Sequence, residues 1–539
     1  MIVPSPHPDV TIPDVTLSEL VFENLEARSD TSAFIDASTG RSLSYGELLE
    51  QSTALAHALI ARGLEPGDVV ALCSPNLPEY AVAFHGAAMA GGCNTTLNPL
   101  QTVDEIVHQV GDSGARVFVT IPALLDKARE VAARTSIEEI VVFGEAAGAI
   151  PLASLLEEGR EASGDGVAAT PGRIPGRIGD PSEHLVALPY SSGTTGRCKG
   201  VMLTHRNLVA NITQCHMVNP IEPEAVVVAV LPFFHIYGMV VIMCAGLSAG
   251  ATLVTLPRFE LEAFLETIQT HRVTRAYVVP PIVLALAKHP MVDSYDLSSL
   301  RYIMSGAAPL GAEVARACQD RLGCEVTQGY GLTETSPVTH FRPWGWGGDA
   351  CIASVGPSLP STQVLIADLE TGEPLPRGET GEVWIRGPQV MSGYLNRPDA
   401  TARTIDERGW LHTGDVGRVA EDGSLTIVDR AKELIKYKGF QVPPAELEDV
   451  LLSHPAVQDA AVIPIPHEEA GEVPKAFVVV AGQVGEDELA AYVAERVAPY
   501  KKIRCFEFTD RIPKSPSGKI LRRILVERER QAAALARDT

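Results

Sequence analysis

Short runs rich in β-branched residues alternate with helical patterns along most of this chain, and that alternation limits the fold more than any other feature. Val69–Leu72, Val117–Thr120, Ile140–Phe143, Val226–Leu231, Thr252–Leu256, Ala276–Val279 and Leu300–Met304 are largely continuous apolar runs. A strand covered on both faces reads this way, whereas a strand with one wet face alternates. Helical signals lie between such runs. Ser44 and Glu47 stand at capping-box spacing, Leu48, Leu55 and Leu59 follow on one face, and Gly63 offers a stop. The pattern predicts an α/β protein with largely covered sheets. At 539 residues the chain is long enough to bury several cores.

The rhythm changes along the length. Residues 159–182, rich in Gly, Pro, Ala and Asp, read as a loose connection. From about 355 to 428 the spacing tightens into short strands and turns, such as Glu382–Arg386 and Leu425–Val428, which predicts a β-rich subdomain. After Asp429 comes a helix opening near Pro443 and Pro444, then strands around Ala460–Ile465 and Ala476–Val480, then a helix over Glu486–Val497. A domain boundary is expected near 430, dividing the chain into 1–430 and 431–539. No repeat of solenoid period is present.

Composition narrows the function classes. With 45% hydrophobic and 21% charged residues, the chain is of ordinary soluble globular type. A formal charge of −23 argues against a general nucleic-acid surface and leaves room only for local basic clusters that bind small anions. The nine cysteines include no C-x-x-C pair, so neither a zinc site nor a disulfide framework is indicated. Reduced thiols and a cytoplasmic location are the expectation. The opening MIVPSPHPDV lacks a basic and apolar signal pattern, and the final ARDT is not a peroxisomal address. No unbroken apolar span reaches the roughly 20 residues a membrane helix needs, so no membrane partner is expected.

The segment PYSSGTTGRCKGVMLTH, residues 189–205, gathers five Ser or Thr hydroxyls and three glycines around Lys199. Glycines let a backbone turn tightly and bring N–H groups to an anion. Hydroxyls add donors, and the lysine adds a compact charge suited to phosphate. The loop departs from a Walker A motif, because Gly196 follows Gly193 by three residues and Lys199 is followed by Gly200. Taken alone, such a run is also what a flexible surface loop looks like.

Further segments follow in order: LPFFHIYGM (231–239), SGAAPLG (305–311), QGYGLTET (328–335), GEVWIRG (381–387), GWLHTGDVG (409–417), VDRAKELIKYKGFQVPPAELE (428–448) and PKSPSGKILRR (513–523). In this series the chain resembles the adenylate-forming (ANL) superfamily of acyl-CoA ligases, luciferases and peptide-synthetase adenylation domains. Within it, the resemblance is greatest to 4-coumarate:CoA ligases and bacterial cinnamate:CoA ligase relatives. It runs from about residue 15 to 525. It implies a large N-terminal domain of layered α/β subdomains with a β-barrel-like subdomain, followed by a small mobile α+β lid hinged near Lys432. The implied reaction joins a carboxylic acid to AMP from ATP, with Mg²⁺ and release of pyrophosphate, and then passes the acyl group to coenzyme A. A carboxylate is a poor electrophile; joining it to AMP removes its charge and supplies a stabilised leaving group.

By the same resemblance, Ser191, Ser192, Gly193, Thr194, Thr195, Gly196 and Lys199 grip the β- and γ-phosphates. Where relatives commonly carry proline before the lysine, this chain has Cys198; losing proline's fixed φ should loosen that end and alter ATP affinity rather than abolish activity. Gln328, Gly329 and Tyr330 match the adenine segment, Thr333 the α-phosphate contact, and Glu334 the Mg²⁺ ligand, a hard oxygen donor. Read alone, Thr333 would only cap a helix. Asp415 and Arg430 match the ribose pair, against the plainer reading of a surface ion pair.

Lys519 matches the lysine that contacts carboxylate and α-phosphate during adenylation, although Lys514, Arg522 and Arg523 nearby would also suit a plain basic tail. Lys436 and Gln441 match residues of the thioester-forming state, Lys438 and Gly439 the pantetheine contact, and Arg258 a basic residue near coenzyme A phosphates. Without the resemblance, these lysines read as a solvated strand face. The implied mechanism is domain alternation about Lys432, with Lys519 closing for one half-reaction and the 436–441 face for the other.

His235, in an apolar stretch, matches the residue that gates the carboxylate tunnel; a lone histidine there is otherwise a core residue. The implied acid pocket comprises Tyr237, Val241, Met304, Gly306, Ala307, Gly331, Pro337, Val338 and Phe341, with small residues at 306, 307 and 331 leaving room for a flat ring. Phe234 and His235 stand where amino-acid-activating relatives place an acid, which argues against a peptide-synthetase module. The leading expectation is a hydroxycinnamate or aryl acid:CoA ligase, monomeric or homodimeric. A medium-chain fatty acyl-CoA ligase and a catalytically silent binding protein on the same fold are the alternatives. Acylation of Lys519 would remove its charge and silence adenylation.

Overall fold

In the computed structural model, all residues are described except 24, 164–169, 192–197, 344, 345, 347–351, 439, 468, 516, 517, 538 and 539, with the side chains of 26 and 533–537 also left aside. The apolar runs form strands close to where their patterning puts them: Val69–Cys73, Val117–Thr120, Glu139–Val142, Val226–Ala229, Thr252–Thr255, Arg275–Val278 and Tyr302–Ser305. They fall into two large sheets. One has the spatial order Val338–Phe341, Glu325–Gly331, Tyr302–Ser305, Arg275–Val278, Val226–Ala229, Thr252–Thr255, Ser32–Asp36, Ser42–Ser44, parallel in its centre and antiparallel at both ends. The other runs from Tyr190–Ser191 through Lys199–Thr204, Leu185–Ala187, Cys93–Thr96, Val69–Cys73, Val117–Thr120 and Glu139–Val142 to Ile150–Pro151.

Helix Pro78–Met89 shows why these sheets must be covered. Tyr80, Ala81, Val82, Phe84, Ala87 and Met89 are all buried, so it has no solvent face and belongs between layers. Helix Tyr45–Ala61 begins with the expected box: the Glu47 N–H donates to Ser44 Oγ and the Ser44 N–H donates to Glu47 Oε2 at 2.7 Å. The expected loose connection over 159–182 begins later than its composition suggests. Residues 152–163 are a helix, and a Cβ on Gly159 would lie 1.7 Å from the Ala54 carbonyl oxygen of Tyr45–Ala61. Glycine is there because two helices touch, not because the chain turns.

The β-rich stretch forms an antiparallel five-stranded sheet in the order Ile2–Pro4, Gln363–Ala367, Gly381–Arg386, Leu411–Val419, Leu425–Arg430. Its edge is the N-terminal strand, with Val3 paired to Val364, a pairing that the polar, proline-rich opening does not announce. The C-terminal domain has its own sheet, Phe440–Val442, Ile435–Tyr437, Gly471–Val480 and Val457–His467, with Cys505–Phe508 alongside. Its core is separate: Ile435, Val442, Leu447, Leu451, Val462, Val478 and Leu489 pack together under helices Pro444–Ser453 and Glu486–Ala494. Each such fully buried Leu or Val contributes about 1.5–3 kcal/mol. Among the described residues, no helix is long and apolar enough to cross a membrane.

Candidate active site

Of the expected site residues, Lys199, His235, Glu334, Asp415, Arg430 and Lys519 come near one another where the N-terminal sheets and the C-terminal domain meet. Asp415 and Arg430 are direct partners across the antiparallel pair Leu411–Val419 and Leu425–Arg430, and Arg430 Nε lies 3.1 Å from Asp415 Oδ1. The Tyr330 hydroxyl donates to Asp415 Oδ2 at 2.7 Å. The carboxylate is only 4% exposed, so this is a buried pair and not a surface one. Burial pushes the Asp415 carboxyl up, with Arg430 and the Tyr330 hydroxyl working against that shift.

Glu334 is buried on the short helical turn Thr333–Thr335. Local capping falls to Thr335, whose hydroxyl donates to Pro337 O at 2.6 Å and accepts the Leu332 N–H, so Thr333 is not the cap. The Tyr394 hydroxyl donates to Glu334 Oε1 at 2.8 Å, and the ring of Tyr394 carries the Lys199 ammonium 4.0 Å from its centroid. Tyr394 therefore supports both the expected metal ligand and the expected phosphate lysine, and sequence reasoning missed it. Burial lowers the Lys199 pKa, with Glu334 opposing. Strand Lys199–Thr204 pairs Ser191 with Lys199 and Val201 with Tyr394, which brings these three segments together. Ser192, Gly193, Thr194, Thr195 and Gly196 lie outside the described residues.

Of the expected adenine segment, the Gln328 side chain is already committed. Its Nε2 donates to Ile352 O at 2.8 Å and Leu310 O at 3.1 Å, and its Oε1 accepts the Leu310 N–H. Gly329 and Tyr330 lie in the strand that pairs with Val338–Phe341.

Lys519 sits on a turn closed by the bridge between Lys514 and Ile520. The turn rests on the N-terminal domain: a Cβ on Gly518 would lie 3.0 Å from Val279 Cγ2. Burial lowers the Lys519 pKa, Arg430 adds to that, and Glu433 and Asp415 oppose it. His235 is pushed down to about 4 by burial first and then by Lys519, so it is neutral near pH 7. Its Nδ1 accepts the Tyr237 N–H at 3.3 Å. The plain basic tail does not exist as such. Lys514 pairs with Asp459 at 2.7 Å, and Arg522 pairs with Glu433 and, at 2.6 Å, with Glu448.

The other candidate face points to solvent. Lys436 and Gln441 are exposed partners across the hairpin Ile435–Tyr437 and Phe440–Val442, and Lys438, at φ 47°, turns it. Gly439 lies outside the described residues. Lys432 is exposed on the turn after Arg430, where the Ala431 N–H reaches back to Gly414 O. Arg258 is exposed and paired with Glu260 at 2.5 Å.

An apolar cavity of about 30 Å³ lies beside the site. Of the expected pocket residues, Val241, Met304, Val338 and Phe341 line it, joined by Tyr277 and His216, which sequence reasoning missed. Tyr237 is buried nearby with its hydroxyl donated to Met304 O at 3.2 Å. The small residues do not simply leave room. A Cβ on Gly306 would lie 3.0 Å from the Tyr237 ring, and one on Gly331 would lie 1.8 Å from Pro337 O. Ala307 is exposed at φ 69°.

Known proteins place this geometry. The model for AMP-binding enzymes matches residues 21–395, and that for the AMP-binding enzyme C-terminal domain matches 446–519. The chain is 43% identical over 532 residues to 4-coumarate--CoA ligase 2 of Petroselinum crispum, covering 96% of this chain and 95% of that one. It is 43% identical to 4-coumarate--CoA ligase of Pinus taeda, covering 97% and 96%. Among solved structures, the anthranilate CoA ligase AuaEII in complex with anthranoyl-AMP matches with a TM-score of 0.87 at 25% identity, covering 97% of this chain and 99% of that one. ATP-bound MatB from Rhodopseudomonas palustris matches with a TM-score of 0.84 at 29% identity, covering 95% and 99%. The chain belongs to the AMP-binding enzyme family of the adenylate-forming superfamily.

Proposed function

We propose that this protein ligates a hydroxycinnamate or related aryl carboxylic acid to coenzyme A through an acyl-adenylate. The observation that carries the reading is the seat of Lys519: a half-buried ammonium among Asp415, Arg430 and His235, held against the N-terminal domain. A cation there meets charge developing between a carboxylate and an α-phosphate.

In the first step a carboxylate oxygen of the acid bonds to the α-phosphorus of ATP while the bond to pyrophosphate breaks. Ser191, Lys199 and the intervening hydroxyls hold the departing phosphates, Thr333 bonds the α-phosphate, and Asp415 with Arg430 receives the ribose. Glu334 fits a Mg²⁺ ligand: it is a buried carboxylate steadied by Tyr394, and no group of three or more His, Cys, Asp or Glu gathers among the described residues to hold a metal unaided. A single carboxylate beside substrate phosphates is how Mg²⁺ is commonly bound, and the ion would neutralise phosphate charge. Neutral His235 stands at the carboxylate entrance and adds no charge of its own.

In the second step the sulfur of coenzyme A bonds to the acyl carbon, the bond from that carbon to the phosphate oxygen breaks to release AMP, and the thiol proton passes to solvent. Lys436, Lys438 and Gln441 serve this step once the C-terminal domain has turned about Lys432, and Arg258 receives coenzyme A phosphates. The cavity is smaller than an aromatic ring, so the acid displaces side chains to enter. Met304, unbranched and adaptable, is the residue best suited to yield.

The test is thioester formation with ATP, Mg²⁺ and coenzyme A across cinnamate, 4-coumarate, caffeate, benzoate and octanoate. One AMP and one pyrophosphate per thioester, with cinnamates fastest, is expected. Octanoate turning over fastest would make this a medium-chain fatty acyl-CoA ligase. Release of neither AMP nor pyrophosphate from any acid overturns the ligase reading and leaves a silent binding protein.

A further inference from the structure

The C-terminal domain touches the N-terminal domain at a second place, away from Lys519. Helix Pro280–Lys288 ends in Lys288, whose ammonium donates to Leu452 O at 2.7 Å, His454 O at 3.4 Å and Val457 O at 3.5 Å. Leu452 lies in the last turn of Pro444–Ser453. The final carbonyls of a helix lack partners within it and carry the negative end of its dipole. An ammonium with three donors matches them, and this one comes from the other domain.

Beside it, Gly311 is the N-cap of helix Ala312–Leu322, at φ −63° and ψ 141°. That is ordinary extended backbone, open to any residue. The close neighbour is across the seam: a Cβ here would lie 1.4 Å from Asp449 Oδ1 and 2.5 Å from its Cγ, so a larger residue at 311 would turn the Asp449 carboxylate out of its place. Asp449 belongs to the same helix that Lys288 caps. Burial, then Glu313 and Glu446, push the Asp449 carboxyl up to about 6, while the close approach to Gly311 is a matter of space.

We propose that Lys288 and Gly311 are positioning residues that hold the C-terminal domain in the arrangement used for adenylation, one by capping Pro444–Ser453 and the other by admitting Asp449. Neither touches a reacting atom. The inference rests on the reading that Lys519 serves adenylation and leaves the site for the thiol step. Loosening the seam lowers the fraction of molecules with Lys519 in place, which slows adenylation and spares or speeds thioester formation.

The test compares pyrophosphate exchange with thioester formation from supplied acyl-AMP, using the fastest acid of the panel above. Lys288→Met and Gly311→Ser should each lower the exchange rate by about tenfold with KM for ATP little changed, while the thioester step is unchanged or faster. Lys288→Arg should retain exchange, and Asp449→Ala should restore it to Gly311→Ser. Serine is a favoured N-cap, so Gly311→Ser keeps helix Ala312–Leu322, and a melting temperature near wild type separates the seam from a folding defect. Exchange unchanged in both variants, an equal fall of both half-reactions, or no rescue by Asp449→Ala overturns the seam alone. Absence of exchange in the wild-type protein overturns the adenylation reading and the seam with it.

Discussion

Lys519 and Lys436 stand on one small domain, yet their surroundings differ in every physical respect. Lys519 sits on a turn pressed against Val279 and Pro281 of the N-terminal domain, with Asp415, Arg430 and Glu433 acting on its charge. Lys436 lies on an exposed hairpin, with exposed Gln441 directly across. One face is seated in the site and the other is in water. For both to act on the same acyl group the domain must turn, so each lysine should matter to one half-reaction only.

The largest effect breaks that comparison most directly. Lys519→Ala should lower pyrophosphate exchange by about 10²–10³-fold, the cost of losing one transition-state donor, while thioester formation from supplied acyl-AMP stays within about threefold. Lys436→Ala should do the reverse. Rapid-quench measurement of the two half-reactions decides, and equal losses in both for either variant would sink domain alternation.

A second contrast lies between two basic residues flanking Lys519. Arg522 is largely covered, with its side chain 14% exposed, and pairs with Glu433 and Glu448; the Glu448 carboxyl, pushed up to about 7 chiefly by burial, also accepts the Val462 N–H. Removing Arg522 strips Glu448 and Glu433 of their charged hydrogen-bond partner and lets the Glu448 carboxyl take up a proton, so Arg522→Ala should cost about 1.5–3 kcal/mol of C-terminal-domain stability. Lys514 pairs with Asp459, with both side chains partly exposed, and Lys514→Ala should cost about 1 kcal/mol or less. Urea unfolding followed by a probe in the C-terminal domain measures both. Similar losses would mean that burial does not set the difference.

These contrasts also mark what the sequence made legible. Strands such as Val117–Thr120 could be read because a strand covered on both faces needs an unbroken apolar run. The box at Ser44 and Glu47 is local and reads from spacing alone. Ile2–Pro4 is three residues long, too short to show a period, and its partner Gln363–Ala367 is remote in sequence. Gly159 reads as a loop residue because its reason, the Ala54 carbonyl, is more than a hundred positions away. The same distance hid Tyr394 and the Arg522 network: a tyrosine after glycine has no signature, and a basic cluster does not name its acids. The motif series supplied the candidate site residues, and the geometry then added what lies behind them.

Tyr394 offers a smaller test of how firmly the seated face is built. Tyr394→Phe keeps a ring under Lys199 but loses the bond to Glu334. A hydrogen bond to a charged group is worth about 1.5–3 kcal/mol, so the Mg²⁺ concentration for half-maximal adenylation should rise by about tenfold or more. Magnesium titration of the exchange rate measures it, and an unmoved midpoint would remove Tyr394 from the site's support.

Proton titration gives a gentler contrast. The Lys519 pKa lies below that of ordinary lysine because of burial and then Arg430. On the proposed role of the Lys519 ammonium in adenylation, the rate of that step should fall as pH rises, beginning below the ordinary lysine range. Thioester formation should lack this limb, and Lys519→Arg should remove it from whatever adenylation remains. His235, pushed down to about 4, should add no limb near pH 6.5. A shared alkaline limb in both half-reactions would assign it to a group other than Lys519.

The smallest expected effect concerns the phosphate loop itself. Cys198 directly precedes Lys199, and its half-buried thiol is pushed up by burial, so it is protonated and acts through shape rather than charge. Cys198→Pro would fix φ at the base of the lysine strand and reduce the backbone freedom that position 198 loses on nucleotide binding. Such a substitution is worth about 0.4–1 kcal/mol where the backbone accepts it, equivalent to about a two- to fivefold lower KM for ATP. The effect should be confined to nucleotide binding, because the Lys199 ammonium and its seat over Tyr394 are untouched. A fall in kcat with KM unchanged would instead mean that the backbone at Cys198 has to move during turnover, and that the phosphate grip is less fixed than the Asp415 and Arg430 pair on the other side of the site.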